Sequence, residues 1–175
     1  RGIERLPGEN LVLRVQAGES WDGLVAAAVE QGLAGIEALS GIPGSCGAAP
    51  IQNIGAYGQE LSSTLVSIEF LDYLSGDLLR LPAAELELGY RRSALKGGRA
   101  GIVISIDLAL SQNVGALSDP IDYSQLATAL GAELAHFVGA AAEALEILLL
   151  GVTHRVLDRW MRRRIEGQVL QLLPQ

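Results

Sequence analysis

The chain has 175 residues, of which 49% are hydrophobic and 19% are charged, a balance typical of a folded globular protein. Its 20 acidic residues outnumber the 13 lysines and arginines, so the net charge of −7 excludes the overall basic surface of a nucleic-acid-binding domain. No run of about 18 uncharged apolar residues occurs, so no membrane span is predicted. A single cysteine, Cys46, excludes an internal disulfide and fits a reducing compartment.

The first elements in the chain are a strand and a helix. Residues 11–15 (LVLRV) are typical of a short strand. Ser20 lies where a helix N-cap is expected, and Asp22 falls in the first turn, where the helix dipole favours an anion. The predicted helix ends before Gly32, which suits the position after a helix C-terminus.

A hairpin and a further strand follow. Apolar and polar residues alternate over 66–70, which predicts a half-buried strand with Val66, Ile68 and Phe70 on one face. The SGD turn at 75–77 leads to a second arm at 78–81.

Pro82 is predicted to open a short helix over 82–88. A last antiparallel strand is predicted with Ser105 and Asp107 on one face. Its apolar face is predicted to comprise Ile102, Ile104, Ile106, Leu108 and Leu110.

From about residue 119 the pattern becomes helical. Asp122 and Gln125 have the spacing of a capping box, and residues 140–150 favour a helix. Thr153 is placed to cap a final amphipathic helix. Its apolar stripe offers a surface for self-association, and its other face is rich in arginine. The sequence therefore predicts an α+β domain over residues 1–112, followed by a helical segment over 113–175.

Most catalytic constellations are missing from the sequence. His136 and His154 are too far apart for a local metal motif, and Cys46 has no CxxC partner, so no metal site is predicted. The chain contains neither a GxSxG elbow nor a GxxxxGK[ST] loop.

Residues 41–58 (GIPGSCGAAPIQNIGAYG) form the most unusual segment. Its glycines allow close backbone approach, Gln52 and Asn53 offer amides, and Tyr57 adds a flat ring with a polar tip. These residue types suit a cofactor that carries phosphate and a flat ring system. Composition alone also fits an ordinary tight loop.

The string IPGS-x-GAAPIQNIGAYG resembles the flavin-binding segment of UDP-N-acetylenolpyruvoylglucosamine reductases, the MurB family of peptidoglycan synthesis. LGYRRSALK at 88–96 resembles the family's GYRxSxxK motif, and PIDYSQLATALG at 120–131 resembles a tyrosine-bearing substrate loop. The similarity covers roughly residues 1–131. It implies a cytoplasmic enzyme whose FAD-binding domain this chain partly contains, with residues 1–112 as the second FAD-binding subdomain.

The resemblance also implies a reaction and its residues. NADPH would reduce FAD, and hydride would pass to the enolpyruvyl group of a UDP-sugar, giving UDP-N-acetylmuramate. Arg91 matches the arginine that steadies the substrate carboxylate, with Tyr90 packed against it, while Gln52 and Tyr123 match positions near the substrate. The positions implied to contact FAD are Ile42, Gly44, Gly47, Ala48, Ile51, Gly55, Ala56 and Tyr57.

Two family motifs have no match in the sequence. These are the glycine-serine-asparagine loop of the first FAD subdomain and the serine motif of the proposed proton donor. Two other readings therefore stay open: a non-catalytic remnant or helical interaction module, and another FAD-linked oxidoreductase on the same scaffold.

Overall fold

The computed structural model describes residues 2–8 and 10–112, and its centre is a five-stranded antiparallel sheet. The strands lie in the order β1-β2-β8-β6-β7. Their bounds are β1 Ile3–Arg5, β2 Val12–Gln16, β6 Leu65–Asp72, β7 Leu78–Pro82 and β8 Gly101–Ala109. The predicted strands and the predicted β6–β7 hairpin are confirmed.

Helix α1 spans Trp21–Glu30 and is the one α-helix among the described residues. As predicted, Ser20 is its N-cap, because the Ser20 hydroxyl accepts a hydrogen bond from the backbone N–H of Gly23 at 3.3 Å. The chain leaves the helix through Gly32, whose φ of +70° is a left-handed conformation that glycine adopts without strain.

The remaining elements are short. Two small antiparallel pairs join β3 Leu33–Ala34 to β9 Ser111–Gln112 and β4 Gly55–Ala56 to β5 Gln59–Glu60. Residues 2–8 and 10–112 include four 3-10 helices, which span Glu37–Leu39, Ala49–Ile51, Leu61–Ser63 and Ala83–Leu86. The helix predicted over 82–88 is therefore shorter than expected and 3-10 in type, and it ends at Glu87, which has a left-handed φ of +47°.

One face of the sheet carries the hydrophobic core. Val15, Ile68 and Ile106 are paired across three adjacent strands, and all three are fully buried. Trp21 at the start of α1 is 1% exposed, and its indole N–H donates to the carbonyl of Leu39 at 3.0 Å. Burial of this ring therefore leaves no unpaired polar group.

The opposite face of the sheet is held by a charged cluster around Asp107. The guanidinium of Arg14 donates from Nε and Nη2 to the two oxygens of this carboxylate, at 2.8 and 2.9 Å. Arg80 Nη1 and the Ser67 hydroxyl also donate to it, at 2.6 and 3.1 Å. Burial would raise the pKa of Asp107, but the hydrogen bonds from Arg14 and Ser67 and the two positive charges hold it below its ordinary value.

The predicted faces of two strands are partly wrong, because the pairing of β6 with β8 contains two irregularities, one with its extra residue in each strand. The first shift isolates Val66, which is 44% exposed instead of facing the core with Ile68. The second lies beside Ile104, so Val103 is buried and Ile102 is 46% exposed. A bulge inserts one residue and reverses the direction of the side chains beyond it.

The helices predicted beyond residue 119 and their capping residues lie outside the described residues. In the part of the chain that the structure describes, no helix is long and apolar enough to cross a membrane.

The Asp107 cluster predicts how stability depends on pH. Asp107→Asn should lower the free energy of unfolding at pH 7 by roughly 2 kcal/mol, because it removes the charged hydrogen bonds that the buried carboxylate accepts from half-buried Arg14 and exposed Arg80. The folded-state pKa of Asp107 is lowered, so its contribution is present above about pH 4 and is lost as the pH falls further.

Urea unfolding of the unsubstituted chain and the variant between pH 7 and pH 2 measures both effects, and the variant should show the weaker acid dependence. Asp77→Asn, at an exposed turn position, is the control. Equal losses in the two variants would contradict the structural role of Asp107.

Candidate functional site

The glycine-rich loop (residues 41–58) is attached to the rest of the protein along one side. The backbone N–H groups of Cys46 and Gly47 donate to the carbonyls of Glu19 and Ala17, both at 2.9 Å. The N–H of Trp21 donates in return to the carbonyl of Gly44 at 3.1 Å. These bonds hold the loop against the turn before α1, so the segment is a fixed part of the fold and not a linker.

Side chains strengthen this attachment. The carboxylate of Asp22 accepts the N–H of Gly41 at 2.8 Å. A Cβ at Gly47 would lie 2.5 Å from the Cβ of Ala17, so only glycine allows this approach. Cys46 is fully buried, and that burial raises the pKa of its thiol to about 12, which leaves it protonated and unreactive.

The other side of the glycine-rich loop is open. Ala48 and Gln52 are exposed, and the side chain of Ile51 is 38% exposed. Between them, Ala49 and Pro50 are buried and anchor the short helix that carries Ile51. The exposed surface is therefore mostly apolar, and the buried residues Ala49 and Pro50 hold it in place.

The loop ends in the β4–β5 hairpin, whose two-residue turn is Tyr57–Gly58. Both residues have positive φ, +50° and +86°, which is the pattern of a type I′ turn. Asparagine is usual at the first position, so Tyr57 adopts a conformation that its side chain disfavours. Such strain is common at functional sites.

A second turn, the arginine turn (residues 89–92), lies beside the glycine-rich loop. Gly89 and Arg92 exchange backbone hydrogen bonds of 3.0 and 3.1 Å, which leaves Tyr90 and Arg91 at the tip. Arg91 has a φ of +52° at a position where glycine is usual. Tyr90 is 84% exposed, and its ring centroid lies 5.9 Å from Cζ of Arg91, which supports the predicted packing of this pair.

Three hydrogen bonds connect the arginine turn and the residues after it to the glycine-rich loop. Nη2 of Arg91 donates to the carbonyl of Gly55 at 2.8 Å. The hydroxyl of Ser93 donates to the carbonyl of Ile51 at 2.6 Å. The amide of Asn53 donates to the carbonyl of Gly89 at 3.1 Å. The two motifs, more than 30 residues apart in sequence, thus form one continuous surface.

The structure brings most of the predicted site residues together on this surface. Gly44, Ala48, Ile51, Gln52, Tyr90 and Arg91 are exposed, whereas Gly47, Gly55 and Tyr57 are half-buried. Ile42 and Ala56 pack partly against the core. Tyr123 lies outside the described residues. Within residues 2–8 and 10–112, no group of three or more potential ligands is placed to hold a metal ion.

Known proteins are similar to this chain in sequence and in fold. A family model described as an FAD binding domain matches residues 1–82. A UDP-N-acetylenolpyruvoylglucosamine reductase from Leifsonia xyli is 62% identical in an alignment of 142 residues that covers 77% of this chain and 38% of that protein. The reductase of Corynebacterium diphtheriae is 48% identical over 121 residues, 69% of this chain and 32% of that protein.

The crystal structure of the reductase (MurB) from Thermus caldophilus matches with a TM-score of 0.52 and 35% identity, over 58% of this chain and 36% of that one. Over its matched length, the chain belongs to the UDP-N-acetylenolpyruvoylglucosamine reductase family. It spans less than two fifths of the length of these relatives.

Two buried residues hold the candidate site together: Ser93, which had no predicted role, and Asn53, whose amide was predicted to face a cofactor but is buried and bonded within the protein. Ser93 is 2% exposed and accepts the N–H of Lys96 at 3.0 Å while it donates to Ile51. Asn53 is 1% exposed and connects three segments. Ser93 belongs to the matched motif, so its spacing was a usable signal; burial of Asn53 is visible only in three dimensions.

Removal of the Ser93 hydroxyl should loosen the contact between the two motifs. Ser93→Ala leaves the carbonyl of Ile51 and the N–H of Lys96 without their partner, which should cost about 1–3 kcal/mol in the free energy of unfolding. Denaturant unfolding measures the loss. Ser63→Ala, at an exposed position, should change stability by less than about 0.5 kcal/mol. A similar small change for Ser93→Ala would show that the buried hydroxyl adds little.

Proposed function

We propose that this chain is part of an FAD-dependent, NADPH-using reductase that converts UDP-N-acetylglucosamine enolpyruvate to UDP-N-acetylmuramate in peptidoglycan synthesis. Support comes from family membership and from the match of residues 1–82 to an FAD binding domain. The same assignment implies a cytoplasmic enzyme with a UDP-sugar substrate. The alternatives of a non-catalytic remnant and of a helical interaction module are less favoured, because the relatives that this chain matches are reductases.

The observation that carries the proposal is the direct contact between the two family motifs. The guanidinium of Arg91 is hydrogen-bonded to Gly55, a residue of the predicted FAD surface. A substrate carboxylate bound by Arg91 would therefore lie next to the cofactor, where the reaction needs it.

The glycine-rich loop fits a flavin in three respects. Its outer surface includes the small residues Gly44 and Ala48, which allow a flat ring to approach the backbone. A Cβ at Gly44 would meet no atom within 4 Å, so the backbone there is open. Ile51 offers an apolar contact, and the adjacent Gln52 offers an amide for polar ring atoms. Bound FAD, once reduced by NADPH, would supply the hydride for the enolpyruvyl double bond.

Arg91 has the chemistry to bind and stabilise the substrate. A guanidinium stays charged at all working pH values and pairs with a carboxylate through two parallel hydrogen bonds. One of its nitrogens is already held by Gly55, which fixes the orientation of the fork before substrate binds. Such a fixed cation also stabilises negative charge that develops on the enolpyruvyl carboxylate during the reaction.

Titration with FAD tests the cofactor surface. The chain should bind FAD, with quenching of flavin fluorescence, and Ile51→Glu should weaken this binding at least about tenfold, because it places a charge where the apolar ring would lie. Leu74→Glu is the matched control: Leu74 is 90% exposed in the β6–β7 hairpin and should leave FAD binding unchanged. A chain that takes up no FAD would contradict the proposal.

Turnover tests the role of Arg91. With NADPH, FAD and the enolpyruvyl sugar, Arg91→Lys should lower kcat by about 10²-fold, since an ammonium lacks the two-pronged geometry. NADPH absorbance follows the rate. The neighbouring Arg92→Lys is the control, because Arg92 is exposed and forms only a 3.6 Å surface ion pair with Glu87. Equal rates for Arg91→Lys and Arg92→Lys would exclude the assigned role.

A further inference from the structure

Asn53 is a buried polar residue for which the proposed reaction has no direct use. It is 1% exposed, and its Nδ2 donates to the Glu60 carboxylate at 2.9 Å and to the carbonyl of Gly89 at 3.1 Å. Its Oδ1 accepts the backbone N–H of Ser62 at 2.9 Å. A third acceptor, the Ser62 hydroxyl, lies 3.3 Å from Nδ2. The amide therefore joins the glycine-rich loop, the segment after β5 and the arginine turn.

Only an amide of this size satisfies all of these partners. The carboxylate of Glu60 and the carbonyl of Gly89 both need a donor, whereas the N–H of Ser62 needs an acceptor. Aspartate would place an oxygen against two acceptors. Asn53 also has a φ of +46°, a conformation that asparagine tolerates better than most residues with a side chain.

The carbonyl of Gly89 is the point at which Asn53 acts on the arginine turn. This oxygen accepts both the N–H of Arg92, which closes the turn, and Nδ2 of Asn53. A carbonyl has two lone pairs, so both bonds can form together. Two residues after Asn53, the carbonyl of Gly55 holds the Arg91 guanidinium. One residue of the glycine-rich loop thus fixes the base of the turn while a near neighbour fixes its tip.

We infer that Asn53 is the positioning residue for Arg91: its amide fixes Gly89 and thereby sets the direction in which the arginine turn presents the guanidinium. The inference rests on the proposed role of Arg91 in binding the substrate carboxylate. It adds a residue that touches neither cofactor nor substrate and that controls how well the carboxylate is bound.

The test uses Asn53→Gly, which keeps the left-handed backbone accessible and removes every side-chain hydrogen bond. Ser62→Ala is the matched control, because it removes one partner of Asn53 and leaves the bond to Gly89 in place. In hydrogen-exchange measurements without ligand, the amides of Gly89 and Arg92 should exchange about tenfold faster in Asn53→Gly and at the normal rate in Ser62→Ala.

The second measurement separates positioning from general destabilisation. Affinities of the FAD-loaded chain are measured for the enolpyruvyl UDP-sugar and for UDP-N-acetylglucosamine, which lacks the carboxylate. Asn53→Gly should lower the preference for the carboxylate-bearing sugar about tenfold, and Arg91→Lys should have less effect in this variant than alone. Equal weakening of both sugars, or fully additive effects, would overturn the inference.

Asn53→Asp is the second variant if Asn53→Gly does not fold, since it keeps the size and the acceptor for Ser62. Failure of both variants to fold, with Ser62→Ala folded, would show that Asn53 is purely structural and would overturn the inference. The hydrogen-exchange measurement needs no ligand, so the role of Asn53 can be tested independently of the proposed function. A chain that binds neither FAD nor sugar contradicts the proposed function, whereas unchanged exchange in Asn53→Gly contradicts the role of Asn53.

Discussion

The candidate site depends on buried hydrogen bonds between two loops that are distant in sequence. Asn53 and Gly89 are 36 residues apart, and Ile51 and Ser93 are 42 residues apart. Neither loop belongs to the five-stranded sheet, so the sheet alone does not bring them into register. The side chains of Asn53 and Ser93 make that connection, and they are buried where a broken bond would leave a polar group unpaired.

Rigidity and strain occur together at this site. The four described non-glycine residues with positive φ, Asn53, Tyr57, Glu87 and Arg91, all lie in or beside the two connected loops. Each such conformation costs on the order of 1 kcal/mol or more, and it persists only where surrounding bonds enforce it. Stability is therefore given up at the positions where the proposed chemistry needs a ring and a guanidinium.

Sequence patterns predicted four of the five strands of the central sheet, the cap at Ser20 and the two motifs, because each depends on local periodicity or on a contiguous string of residues. They failed where the cause was not local. The exposure of Val66 and Ile102 arises from bulges in the pairing of β6 with β8, which no periodicity within one strand reveals. Gly47 was assigned to the cofactor, yet its close approach to Ala17 already requires glycine; its contact with FAD stays a prediction.

The β6–β7 hairpin separates the two loops along the chain, and this order has a consequence for how the protein folds. Gly89 and Asn53 are 36 residues apart with the hairpin between them, so their contact joins residues distant in sequence. The entropy lost when this long loop closes must be offset by other contacts, and those of the sheet are the nearest. We therefore expect ligand binding to become possible late in folding, so that a ligand of the joined loops selects chains whose sheet is already complete.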